Sequence, residues 1–139
     1  MTTSKLTRQD VRMRAKHRCE YCLSHQEYVF GRLQIDHIIP LARGGSDEAY
    51  NLCLACEFCN QYKWTKIDEI DPHSKQRVSL FNPRQQNWVE HFRWHENGTE
   101  IIGLTACGRA TIVALKLNNT LAVTVRRNWV KAGWHPPMI

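Results

Sequence analysis

Two Cys-x-x-Cys pairs, Cys19/Cys22 and Cys56/Cys59, constrain this chain more than any other feature. A tetrahedral zinc ion takes four thiolates, and each two-residue knuckle delivers two from one turn with their sulfurs converging. The 33 residues between the pairs (23–55) exceed what a compact ribbon needs, so further structure must be built between the knuckles. Four cysteine ligands leave no position open to water, which makes such an ion structural, and a small domain tied by it folds only with it. The competing reading is four buried free thiols. Cys53 and Cys107 lack a partner at knuckle spacing and read as small core residues.

Composition favours ligation over disulfides. The chain has 139 residues, one domain's worth, and 42% apolar with 23% charged residues is globular rather than disordered. No apolar run approaches the roughly 18 residues of a membrane span. Residues 1–7 contain no apolar signal core, so the expected location is cytoplasmic, where cysteines stay reduced and serve metals. The net charge of +6 favours a polyanionic partner. Its distribution is uneven. Residues 5–18 hold Lys5, Arg8, Arg12, Arg14, Lys16 and Arg18 against Asp10, and residues 101–139 hold basic residues and no acid, whereas 46–71 is acidic. Basic ends suit phosphate-binding surfaces flanking a site, or are simply solvated helix faces.

The pattern predicts a helix over 7–17 with Thr7 as N-cap, strands at 28–30 and 33–38 ended by Pro40, and a loop at 43–46. A strand over 51–55 and a helix over 57–66 follow. Residues 68–87 read as turns and 88–94 as a strand, with Trp88, Phe92 and Trp94 in a core. Asn97-Gly98 marks a hairpin with a return strand at 100–104. Two helices close the chain, over 108–117 and from Asn119 or Thr120 to Lys131, stopped by Gly133.

Between the knuckles, Asp36 and His37 are adjacent at the end of an apolar strand. Neighbours on a strand face opposite ways, so one can hold a metal while the other addresses a water. Asn60 and Lys63 are three apart on the following helix and share a face. Lys63 is a candidate for a phosphate contact, or else a solvated lysine, and Arg43 is a weaker candidate for the same contact. Taken alone, Asp36-His37 also fits a packed or hydrogen-bonded histidine. His91 and His95 have helical spacing but fall in a predicted strand, which argues against a metal pair.

Cys19-x-x-Cys22, then Asp36-His37-Ile-Ile-Pro-Leu-Ala-Arg-Gly-Gly45, then Asn51-Leu52, then Cys56-x-x-Cys59-Asn60-x-x-Lys63, resembles the HNH endonuclease family over roughly residues 8–66. The resemblance implies an α+β fold: a ββα-metal, treble-clef-like core stapled by zinc over residues 1–70, with a C-terminal β-hairpin and two-helix extension over 71–139 packed on it. It implies that His37 is the general base activating a water, and that Asp36 is a ligand of one divalent ion. Asn51 would brace the loop between the strands and hold the histidine's geometry. Asn60 stands at the last position of the motif, a metal ligand that is often Asn in this family. An Asn oxygen suits Mg²⁺ or Mn²⁺ better than an imidazole does. The implied activity is DNA phosphodiester hydrolysis leaving 5′-phosphate and 3′-hydroxyl ends, with backbone contacts from the N-terminal helix and from Arg126, Arg127 and Lys131.

No familiar base-reading motif accompanies this core, so weak sequence preference or specificity borrowed from a partner is expected. A single site per chain makes a double-strand cut the work of two events or a dimer. The rivals are a non-catalytic zinc-finger module that binds nucleic acid, which has no need of Asp36, His37 or Asn60, and a structural protein whose tail docks a partner.

Overall fold

The computed structural model describes residues 5–138, with side chains from residue 7 onward, so the Lys5 side chain lies outside the described residues. Among the described residues the architecture is α+β, with helices and three two-stranded antiparallel sheets. The chain divides into two compact units: residues 1–67 with 82–86, and residues 68–81 with 87–139.

The first unit opens with helix α1 (Lys5–Arg14). Thr7 therefore lies inside the helix rather than at its cap. The helix also stops short of the expected His17, because Lys16 and His17 take left-handed backbone angles and turn the chain toward the first knuckle. Strand β1 (Gln34–His37) pairs antiparallel with β2 (Leu52–Ala55), setting Asp36 opposite Cys53 and His37 opposite Leu52. The strand expected at 28–30 does not form, since Gln26–Tyr28 is a turn of 3-10 helix capped by the His25 ring. Helix α2 (Glu57–Lys63) follows β2 directly.

Alternation along β1 divides the labour of its two faces. Ile35 packs with Val11, Ala15, Leu33, Leu52 and Leu54 in the core shared with α1. On the other face Gln34 and Asp36 meet α2, where Asn60 Nδ2 donates to Gln34 Oε1 at 2.6 Å and Lys63 reaches Asp36. Arginines of α1 tie the helix down. Arg12 donates to Leu33 O at 2.7 Å and Arg14 to Leu52 O at 2.6 Å. Two members of the expected phosphate-binding helix are thus spent within the fold, while Arg8 and Lys16 remain exposed.

The second unit begins where turns were expected, with a short hairpin, β3 (Asp68–Ile70) against β4 (Arg77–Ser79). The stretch read as one strand is a helical turn, α3 (Trp88–His91), running into β5 (Phe92–Trp94), which pairs with β6 (Ile101–Gly103). Trp88 and Phe92 lie four residues apart, and the helical turn between them brings their rings into tilted contact at 5.2 Å, which a strand would not. His91 and His95 accordingly share no helix, and His91 Nδ1 pairs with Thr105 Oγ1 at 2.7 Å. Helices α4 (Ala106–Leu115) and α5 (Thr120–Ala132) are capped by Thr105 and Asn119, and Gly133 ends α5 in the left-handed conformation. Gly108 is obligatory, since a Cβ there would lie 2.1 Å from His91 O. Arg126, expected at a phosphate, is buried instead: it donates to Thr99 O at 3.0 Å and lies over the Trp94 ring. Arg127 and Lys131 are exposed. Among the described residues, no helix is long and apolar enough to cross a membrane.

Candidate metal centre and active site

The two knuckles close on one point. The ligand atoms of Cys19, Cys22, Cys56 and Cys59 all lie within 4.8 Å of one another, and Cys22 Sγ sits 3.7 Å from Cys56 Sγ. A tetrahedral ion with metal–sulfur bonds of about 2.3 Å requires sulfurs about 3.8 Å apart, so the cluster fits such an ion. Each knuckle is preformed by an N–H···S contact, Cys22 N to Cys19 Sγ and Cys59 N to Cys56 Sγ, the latter also capping α2. Burial pushes the Cys19 thiol well up, and crowding by the other cysteines, Cys19 first, does the same to Cys59. Thiols that are costly to ionise together become thiolates when a cation arrives. The first knuckle is also bonded to β2: Glu20 N donates to Leu54 O at 2.8 Å, and Leu54 N donates to Glu20 Oε2 at 2.9 Å. Arg84, from the segment that returns to this unit, pairs with the other Glu20 oxygen.

Asp36 and His37 leave β1 in different environments. The Asp36 carboxylate is buried between the β1/β2 pair and α2, near Cys53 and the fully buried Tyr21. Burial raises its pKa above the usual carboxylate range, and the Lys63 ammonium works against that rise. Burial likewise drives the neighbouring Cys53 thiol up to about 12. Lys63 Nζ lies 3.1 Å from Asp36 Oδ2 and donates to His37 O at 2.9 Å. At 1% exposure Lys63 is neither a solvated lysine nor placed to meet a phosphate; it holds the end of β1. Asp36 Oδ2 is buried with the Lys63 ammonium as its ionic partner, and a carboxylate oxygen is the donor type a hard cation takes. Asn60 is half-buried and its amide nitrogen is committed to Gln34.

His37 is partly open to solvent, with its side chain 25% exposed, and its Nε2 lies 2.7 Å from Asp47 Oδ1. Asp47 belongs to the loop joining β1 to β2, and Asn51 closes that loop. The Asn51 amide oxygen accepts from Ile39 N at 2.8 Å, and its nitrogen donates to Ile39 O at 3.0 Å and Ser46 O at 2.8 Å. Gly45 makes this possible, because a Cβ there would lie 1.7 Å from Ile39 O and 2.9 Å from the Asn51 amide nitrogen. Arg43, in the same loop, donates to Thr65 O at 2.8 Å. The structure thus gathers Asp36 and Lys63 on one side of β1 and His37 with Asp47 at its end. Sequence reasoning missed Asp47, since an acid ten residues past a histidine in a Gly-rich loop follows no spacing rule.

Residues 19–66 match the family model for HNH endonuclease. The matched segment holds all four clustered cysteines together with Asp36, His37, Asn51, Asn60 and Lys63. The HNH match over this segment suggests a nuclease or nucleic-acid-binding role. Searches of curated proteins and of solved structures found no match to the chain.

Proposed function

We propose that this protein is a metal-dependent HNH endonuclease that hydrolyses DNA phosphodiester bonds and leaves 5′-phosphate and 3′-hydroxyl ends. The β1, β2 and α2 segment is then a ββα-metal core, assigned to residues 1–70 with 71–139 as its extension, and the four-cysteine cluster holds a structural zinc ion. The observation that carries the reading is the solvent-facing His37 imidazole at the end of β1, fixed by one ring nitrogen, within an HNH match.

In this mechanism His37 takes the proton from a water aimed at the phosphorus, a task suited to an imidazole at neutral pH. Asn51 keeps the loop closed over the base. Asp36 and Asn60 would hold one Mg²⁺ or Mn²⁺; when bound, that ion supplies positive charge to the phosphate and leaving oxygens. Lys63 balances the Asp36 carboxylate and keeps it in place. Exposed Arg8, Lys16, Arg127 and Lys131 are available for backbone contacts, which give affinity and salt dependence without sequence information.

The test is cleavage of supercoiled plasmid with Mg²⁺, Mn²⁺ or EDTA, beside a folded, zinc-loaded His37→Ala variant. Nicking that needs the divalent ion and vanishes with His37 is the expected result. A wild-type protein that shifts DNA in a gel yet never nicks it would transfer the assignment to a non-catalytic zinc-binding module.

A further inference from the structure

We propose that Asp47 is a positioning residue for the cleavage reaction, an acceptor that fixes the tautomer and ring orientation of His37 and so leaves Nδ1 as the basic nitrogen. The proposal rests on His37 being the base. A neutral imidazole carries its proton on one nitrogen and a lone pair on the other, and the hydrogen bond made by the first decides which is which. An ionised carboxylate can only accept. With Asp47 Oδ1 at 2.7 Å, Nε2 must hold the proton, and the lone pair is confined to Nδ1. Nδ1 carries no hydrogen bond among the described residues.

The carboxylate is itself held. Its side chain is 12% exposed, and the preceding residue is anchored through Ser46 O by the buried Asn51 amide, which also grips both backbone groups of Ile39. The next turn is fixed by Glu48 N donating to Ser46 Oγ at 3.2 Å. At the other end of the imidazole's own backbone, Lys63 holds His37 O. His37 is therefore located from three sides: its carbonyl by Lys63, its strand by the β1/β2 pairing, and its ring by Asp47. The loop clip made by Asn51 reaches the base through Asp47.

Two readouts test this on zinc-loaded Asp47→Ala and Asp47→Asn, with retained fold checked by circular dichroism and zinc content. The first is the pair of His37 ring ¹⁵N chemical shifts in DNA-free protein at a pH where the ring is neutral. Wild type is expected to show the Nε2–H tautomer. Both variants should show a mixture, since Ala offers no acceptor and Asn can present either its oxygen or its NH₂ group. The second is plasmid nicking at saturating DNA. The rate should fall about tenfold or more without a rise in KM, bounded by the 10²–10⁴ that a general base contributes. Unchanged ¹⁵N shifts in Asp47→Ala overturn the proposal. So does a saturated rate within about twofold of wild type while His37→Ala is inactive, and that outcome leaves the base assignment standing. A His37→Ala protein that nicks normally removes the base assignment and the role of Asp47 with it.

Discussion

Replacing Lys63 by Met shortens the side chain by one atom and removes its ammonium from a site where it is 1% exposed. Asp36, 9% exposed, then keeps its charge with no cation beside it, and His37 O loses a donor. Breaking a buried ion pair from one side costs about 3–5 kcal/mol. The carboxylate has an escape, which sets a ceiling: it can take up a proton on folding. From an ordinary aspartate pKa of about 3.9, neutralisation costs about 4.2 kcal/mol at pH 7 and about 2.2 kcal/mol at pH 5.5. Lys63→Met should therefore destabilise the first unit by about 3–4 kcal/mol at pH 7 and by about 2 kcal/mol at pH 5.5. The sign follows from linkage. Burial already raises the Asp36 pKa, and loss of the lysine removes what opposes that rise. In the variant the folded state binds more protons than the unfolded chain between the ordinary and the raised pKa, so acidification within that window helps it. Urea unfolding with saturating zinc, followed by far-ultraviolet circular dichroism at both pH values, measures the cost. The double variant Asp36→Asn/Lys63→Met should recover much of it. A cost below about 1 kcal/mol at pH 7, a cost equal at both pH values, or a double variant no more stable than Lys63→Met would refute the reasoning, since each contradicts an uncompensated buried charge.

Two further outcomes follow from the metal cluster and from the second unit. Cys59→Ser should lower bound zinc from one per chain to well below one and unfold the first unit, read by metal analysis and amide exchange at Ile35 and Leu54, while the second unit keeps its helices. In the second unit the two nitrogens of the Arg109 fork donate to Asp71 at 2.9 and 3.0 Å and hold its carboxyl far below the usual range. That stabilisation is complete above the ordinary aspartate pKa and fades as pH falls toward the depressed one. Asp71→Asn should therefore lower Tm at pH 7, and the gap to wild type should narrow below about pH 4.

The legible parts of this chain are those decided by local chemistry. The cysteine knuckles, the Asn119 cap and the Gly133 stop each need only a few neighbouring residues, and each expectation meets its counterpart in the structure. Short segments were less legible. Residues 88–91 alternate as a strand would, yet the i, i+4 spacing of Trp88 and Phe92 also suits a helical turn, and the structure forms that turn with the two rings 5.2 Å apart. The β3/β4 hairpin was hidden because its strands are three residues each, while Asp71 organises the turn by accepting from His73 N and Ser74 N. Buried cations were the least legible. Lys63 and Arg126 look solvated in isolation, and their burial depends on distant partners, Asp36 and His37 O for one and Thr99 O and the Trp94 ring for the other. Asp47 belongs with them, since its meaning comes from a loop closure that Asn51 and Gly45 impose.

The return of residues 82–86 to the first unit bears on how this module can be inherited or excised. The family match ends at residue 66, and a gene fragment cut there would encode all four clustered cysteines and every proposed active-site residue. It would lack Arg84, the guanidinium that neutralises Glu20, whose other oxygen caps Leu54 in the strand leading to the second knuckle. That arginine is itself half-buried, and burial brings its pKa down to about 10. A shuffled fragment ending at 66 would carry an unmatched carboxylate at the foot of its own metal cluster. The segment that matches the HNH model is therefore not transplantable as one continuous stretch, and a graft must take residues 82–86 or replace Glu20.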